Sequence, residues 1–264
     1  MSGSHLESGC HALDDGRVRL HGPAAALCRW FDERFLRMAL QSGATECRFP
    51  ATIARDTLAR AGFLEAFPGG ATALAARPDR GDYMLCPAVC YHAYAWLAGA
   101  RLEAPATLTA VHTCFREADR ANAGRSRFWE FTMREVVFIG SAEWVTARRD
   151  EWAQRIGSFV EGLELRGAIE PATDPFFGDS GRGKRLLQQV KGLKLELRVD
   201  CDAAPLAVAS FNRHETFFSS RFGFELAGGG EAHSACVAFG LERWAMAYLD
   251  QRGGAAAADL VAGR

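Results

Sequence analysis

The chain has 264 residues, with 31 basic and 32 acidic side chains and a pI near 6.7. That length buries one large core, or one domain with a small appendage. The balanced charge supplies no basic field able to hold an RNA backbone, which takes many Lys and Arg contacts to phosphate. No apolar run approaches the roughly 18 residues of a membrane span, and the N-terminus lacks a secretory apolar segment, so a soluble, cytoplasmic protein is expected. Eight scattered cysteines read as reduced thiols, with room for a metal among them, rather than as a disulfide framework.

Residues 1–22 are polar and weakly patterned and read as a leader of uncertain order. Pro23 suits the first turn of a helix. From there to Gln41, Leu27, Trp30, Phe31, Phe35, Met38 and Leu40 recur at helical spacing, with charged residues between them. Ser42 and Gly43 end that helix, and a strand from Thr45 to Phe49 leads into Pro50. Ile53 to Phe67 reads as a second helix, Tyr83 to Cys86 as a short strand, and Pro87 to Gly99 as a third helix. Cys86 and Cys90 share a face if both are helical. By themselves they are either core cysteines or half of a structural or zinc site. No HxxxH or CxxC pattern supports a second metal.

The apolar run Val111 to Phe115, a polar loop from Glu117 to Ser126, and an alternating stretch from Arg127 to Ile139 predict an antiparallel hairpin. Every second side chain of a strand shares a face, so Arg127, Phe131 and Glu135 point the same way. Taken alone, this is as readily a hairpin with a solvated charged face. Glu143 to Leu165 predicts an amphipathic helix, Gly167 to Phe177 a strand and turn, and Lys184 to Val190 a helix. Leu193 to Val199 predicts a strand with Lys194 and Glu196 on the face opposite its leucines. Pro205 to Asn212 reads as a buried strand, and His233 to Gly240 as a small-residue strand turning into a helix with Arg243 in its first turn. The glycine- and alanine-rich segment from Gly253 reads as a frayed tail, and there is no internal repeat.

Six short motifs stand in a recognisable order: Cys90-Tyr91-His92, Cys114-Phe115-Arg116, Met133-Arg134-Glu135, Asp174-Pro175-Phe176-Phe177, Ser210-Phe211-Asn212-Arg213-His214 and Phe239-Gly240-Leu241-Glu242-Arg243-Trp244. Over about residues 23 to 250 the chain resembles the amino acid:[carrier protein] ligases, truncated relatives of atypical seryl-tRNA synthetases. The hairpin around Arg116 and the segment around Arg243 resemble motifs 2 and 3 of class II aminoacyl-tRNA synthetases. The resemblance implies an α+β fold, a class II synthetase-like catalytic domain with a mostly antiparallel β-sheet flanked by helices. Its expected bounds are residues 23–252, after the leader and before a flexible tail at 253–264. The helix, strand and proline of residues 23–50 match motif 1 and imply a homodimer, although the same helix reads equally as one packing on its own sheet.

The resemblance also implies a site. Cys90, Glu135 and Cys236 match the family's zinc ligands, whose open fourth position takes the substrate's α-amine. Cys86 competes with Cys90 and Glu130 with Glu135, and strand parity with Phe131 favours Glu135. Arg116 matches the arginine on the α-phosphate of ATP and Arg243 the one on the γ-phosphate. Phe131 matches the ring on which adenine stacks, with Arg243 on the adenine's other face. Arg127 is a further phosphate ligand, Glu117 reads the adenine amino group, and the Glu117–Ser126 loop folds over ATP. Ser210 and Asn212 resemble a polar pair near the Mg²⁺-bound phosphates and the amino acid. His214 is as readily structural, and Asp174 is a candidate to face the amino acid. Two positions depart from the family: its adenine-reading Glu would fall at Ala118, and Ala238 stands where Gly is usual.

The activity so implied uses ATP and Mg²⁺ to convert a small amino acid, glycine or alanine, to its adenylate. The aminoacyl group then passes to the phosphopantetheine thiol of a carrier protein. No tRNA partner is expected, because 264 residues leave no room for the long helical arm of seryl enzymes. Two other readings stay open: a catalytically impaired paralogue acting as a nucleotide- and amino-acid-binding regulatory subunit, and a ligase with a different acceptor.

Overall fold

The computed structural model describes residues 9–13, 15–75, 81–117, 128–173 and 191–263. The first elements are β1 (Cys10–Ala12), β2 (Val18–Leu20), α1 (Gly22–Gln41), β3 (Thr45–Glu46), β4 (Thr52–Ala54), α2 (Arg55–Arg60), α3 (Phe63–Ala66), β5 (Tyr83–Leu85), α4 (Cys90–Trp96) and β6 (Arg101–Leu102). There follow β7 (Ala106–Phe115), β8 (Glu130–Gly140), α5 (Ala142–Gly162), β9 (Gly167–Pro171), β10 (Lys194–Val199), β11 (Leu206–Glu215), α6 (Phe217–Phe222), β12 (Glu225–Leu226), β13 (His233–Gly240) and α7 (Leu241–Ala262). Seven strands form one sheet in the order β3-β7-β8-β13-β11-β10-β9. Each neighbouring pair is antiparallel except β3 beside β7.

Period-two alternation sorts the central strands into two faces. Val136, Phe138, Phe211, Val237 and Phe239 turn to one side, where α1, α5 and α7 cover them with Phe31, Phe35, Trp152, Ile156 and Trp244. Phe35 stacks on Phe239 with ring centroids 4.0 Å apart. Full burial of such a ring is worth about 1.5–3 kcal/mol, and this helix-covered layer is the main core. The other sheet face packs Leu108, Val137 and Ile139 against Tyr94, Phe218 and Phe222 at one end and carries polar side chains at the other.

Several elements differ from the sequence expectation. The buried stripe of α1 runs through Ala24, Leu27, Phe31, Phe35 and Ala39, while Leu40 is half exposed. The helix expected over 53–67 is a strand and two short helices. Thr52–Ala54 pairs with Tyr83–Leu85, and Gly62, in the left-handed region at φ 71°, separates the helices. The leader contains the β1–β2 hairpin, tied to the rest of the chain by Trp129 N–H donating to Gly16 O at 3.1 Å. The tail expected to fray is helical to Ala262 after a kink at Gly253, with Ala257 fully buried. The helix expected at 184–190 lies outside the described residues. No helix among the described residues is long and apolar enough to cross a membrane.

One ion pair ties the helix layer to the sheet. Arg134 is 1 % exposed, and its Nε and Nη2 donate to the two carboxylate oxygens of Asp32 on α1 at 2.5 and 3.0 Å. Nη1 donates to Thr109 Oγ1 at 3.3 Å on β7. Forked pairing of this kind satisfies a guanidinium that burial would otherwise penalise. Asp32→Ala is expected to cost about 3 kcal/mol or more, because it leaves a buried cation unpaired. Arg134→Met added to it should restore much of the loss. Urea midpoints of the two variants check this, and equal midpoints for wild type and Asp32→Ala would refute it.

Candidate active site

The sheet face opposite the helices floors a cleft of about 810 Å³, within the range of small-molecule sites. Alternation supplies its lining: Phe131, Met133 and Glu135 from β8, Cys236, Ala238 and Gly240 from β13, Ser210, Asn212 and His214 from β11, and Lys194 and Glu196 from β10. Register fixes their order across the floor. Glu135 lies opposite Ala238, which lies opposite Ser210, and Cys236 lies opposite Asn212. Cys90 enters from α4, where its backbone N–H donates to Glu135 Oε2 at 2.6 Å. The ligating atoms of Cys90, Glu135 and Cys236 lie within 4.8 Å of one another, and all three residues are buried.

The electrostatics of this triad follow from that burial. Removal from water, then the neighbouring Cys236 sulfur, pushes the Glu135 carboxyl up to about 8. The hydrogen bond it shares with Cys236, together with burial, holds the Cys90 thiol well above the usual range. Cys236 is held well below it, chiefly because Cys90 donates to its sulfur, with His214 and Asn212 assisting. Asn212 Nδ2 donates to the Cys236 sulfur at 3.5 Å, and His214 Nε2 stands 3.4 Å from it. Two sulfurs and a carboxylate ionise together in a buried pocket only at high cost unless a cation offsets them. This donor set fits a tetrahedral borderline-soft ion such as Zn²⁺ and leaves one coordination position open.

Both arginines singled out in the sequence line the same cleft. Arg116, just past β7, donates from Nε to Pro87 O at 3.1 Å, and its guanidinium lies 5.1 Å from the centre of the Phe131 ring. Arg243, in the first turn of α7, donates from Nη1 to Ala207 O at 3.0 Å. Its neighbour Glu242 is buried and accepts Thr132 N–H with both carboxylate oxygens, at 2.8 and 2.9 Å. Burial raises that carboxyl above its ordinary value. Ser210 and Asn212 are joined by an Asn212 Nδ2 to Ser210 Oγ hydrogen bond of 3.1 Å.

Not every candidate joins this group. The Glu117 carboxylate accepts from Thr72 Oγ1 at 2.6 Å, and its N–H donates to Gly70 O. Arg127, Ala118 and Asp174 lie outside the described residues. Glu130, opposite Phe115 in the hairpin, is not part of the triad. Cys86 belongs to a different cluster, with His92 and His112. Sequence reasoning assigned no role to Lys194 and Glu196, which form a 3.3 Å ion pair on the cleft floor. Their parity against the leucines of β10 was the available signal.

No protein-family model matches the chain. The seryl-tRNA synthetase of M. kandleri, solved in complex with A. aeolicus tRNASec, aligns with a TM-score of 0.80 at 21% identity, over 95% of this chain and 56% of that one. The fold is therefore that of the class II aminoacyl-tRNA synthetases. Two proteins of Bradyrhizobium diazoefficiens narrow this further. Its amino acid--[acyl-carrier-protein] ligase 2 is 35% identical over 234 residues, covering 78% of this chain and 69% of that protein. Ligase 1 is 31% identical, covering 81% and 73%. The chain belongs to the amino acid--[acyl-carrier-protein] ligase family.

Zn²⁺ uptake by metal-stripped protein is expected to weaken as pH falls, because the raised Cys90 thiol must lose its proton and, below about 8, so must the Glu135 carboxyl before either binds an ion. Glu135→Gln should lower both the affinity and the number of protons released. Calorimetry at about pH 6, 7 and 8 in buffers of different ionisation enthalpy reads both quantities. Affinity constant across that range contradicts the assignment.

Proposed function

We propose that this protein uses ATP and Mg²⁺ to activate a small amino acid, glycine or alanine, and passes it to the phosphopantetheine thiol of a carrier protein. The observation that carries this reading is one cleft floor shared by the Cys90–Glu135–Cys236 triad, Phe131 and the arginines Arg116 and Arg243. The names of the two Bradyrhizobium relatives support the acceptor class.

In the first half-reaction a carboxylate oxygen of the amino acid attacks the α-phosphorus of ATP, and pyrophosphate leaves. Negative charge builds on the α-phosphoryl oxygens, and a guanidinium fixed by Pro87 O, that of Arg116, offsets it. Arg243 takes the distal phosphates, and Phe131 offers an aromatic surface to the base. Ser210 and Asn212 supply hydrogen-bonding groups between the phosphates and the amino acid. In the second half-reaction the thiol sulfur attacks the adenylate's carbonyl carbon, AMP leaves, and a thioester remains. No protein nucleophile is required, so orientation and charge stabilisation carry the rate.

Cys90, Glu135 and Cys236 would hold the zinc ion, which when bound fixes the substrate's α-amine in its neutral form. Asn212 and His214, both against the Cys236 sulfur, hold that ligand in orientation and charge state. The layout of α1, β3 and Pro50 resembles motif 1 and supports a homodimer, which sedimentation of the purified protein tests.

Pyrophosphate exchange into ATP, screened across small amino acids, tests the first step. Exchange is expected with glycine or alanine, and Arg116→Ala should lower it by about 10²–10³-fold. Absence of exchange with every amino acid would sink the enzyme reading. That result would favour a binding subunit, a reading supported by Glu117 held by Thr72 and by the Ala238 methyl group opposite Glu135. Incubation with holo- and apo-carrier tests the acceptor: thioester is expected on the holo form alone, and turnover without a carrier adduct favours another acceptor.

A further inference from the structure

Behind the cleft wall lies a second group of soft ligands. Cys86 Sγ and ring nitrogens of His92 and His112 lie within 4.8 Å of one another, and none of the three residues lines the cleft. They come from three separate places: the residue after β5, the middle of α4, and β7. Cys86 is fully buried.

Both imidazoles have one buried nitrogen without a hydrogen-bond partner among the described residues. His112 Nδ1 donates to Thr113 O at 2.8 Å. The Pro50 carbonyl faces the His92 ring, and Phe49 stacks on the ring at 5.4 Å. The unpartnered nitrogen is Nε2 in each ring. A buried unsatisfied nitrogen is costly, and two on rings with centroids 5.8 Å apart call for an explanation. An imidazole that donates Nδ1–H to a backbone carbonyl and presents a free Nε2 is the usual form of a metal-binding histidine.

We propose that Cys86, His92 and His112 form a second, structural metal site for Zn²⁺, separate from the one at Cys90, Glu135 and Cys236. Bond lengths of about 2.0 Å to nitrogen and about 2.3 Å to sulfur place tetrahedral ligand atoms about 3.3–3.7 Å apart. Side-chain shifts of about 1 Å close the present group to that spacing. A thiolate and two imidazoles suit a borderline-soft ion and disfavour Mg²⁺ or Ca²⁺. An ion here joins α4 to β7. Two residues before His92 stands Cys90, and the carbonyl of Cys86 accepts the N–H of Phe115, next to Arg116. The site therefore braces the two segments that deliver Cys90 and Arg116 to the cleft.

Elemental analysis of the full-length protein, expressed with added zinc and desalted, separates the two sites. About two zinc ions per chain are expected for wild type, with one ligand set for each. Cys236→Ala should lose only the cleft ion, His92→Gln/His112→Gln only the second, and the combined variant both. A wild-type ion that disappears completely in Cys236→Ala overturns this proposal and leaves the cleft site standing. One that persists in Cys236→Ala and is lost in His92→Gln/His112→Gln does the reverse. Should the histidine variant not fold, X-ray absorption of Co²⁺-loaded Cys236→Ala decides. A shell of one sulfur and two imidazole nitrogens supports the site, and an oxygen-only shell or no bound cobalt refutes it.

Discussion

Arg134 and Glu135 are neighbours in the sequence, both buried, and they face opposite sides of β8. This is the constraint on which the rest of the structure depends. A β-strand has no choice about sending adjacent side chains to opposite faces, so each charge had to meet its own environment. Arg134 turns to the helix layer and finds Asp32, while Glu135 turns to the cleft and meets Cys90 and Cys236. A slip of one residue in the β8–β13 register would exchange these environments, leaving a guanidinium among thiols and a carboxylate among phenylalanines. Core packing, the ion pair and the triad therefore enforce the same register.

The cleft side gathers ionisable groups that burial penalises unless opposite charge meets them. Burial and the Cys236 sulfur push the Glu135 carboxyl up to about 8, and the guanidiniums of Arg116 and Arg243 each donate to a backbone carbonyl. A carbonyl partner orients a guanidinium without neutralising it. The polar strand β10 extends that floor with Lys194, Glu196 and Arg198, where the one carboxylate pairs with both cations.

Much of this was legible in the sequence because it depends on local period. Alternation placed Phe131 and Glu135 on one face, Lys194 and Glu196 on another strand's polar face, and Gly240 at the turn into the helix that bears Arg243. The ordered motifs then joined segments that no periodicity connects, such as Cys90 and Cys236, which are 146 positions apart in the chain. What could not be read was set by tertiary contact. The split of the 53–67 helix depends on β4 finding β5 and on the left-handed Gly62. The alanine-rich end of α7 gains its order by burying Ala257. The cluster of Cys86, His92 and His112 has no motif spacing, because His112 arrives by strand pairing and not by chain proximity. The Glu117 side chain, read as adenine-facing, is held by Thr72 from a segment with no pattern to announce it.

Glu242 has a mechanical consequence of its own. By gripping the Thr132 N–H with both oxygens, it welds the start of α7 to β8, so Arg243 and Phe131 ride on one rigid body and keep a constant separation. Arg116 is joined to the same strand, because its N–H donates to Trp129 O at 2.7 Å and Phe115 pairs with Glu130. Both guanidiniums are therefore tied through backbone hydrogen bonds to the stretch of β8 around Phe131, which makes that strand the common anchor of the cleft.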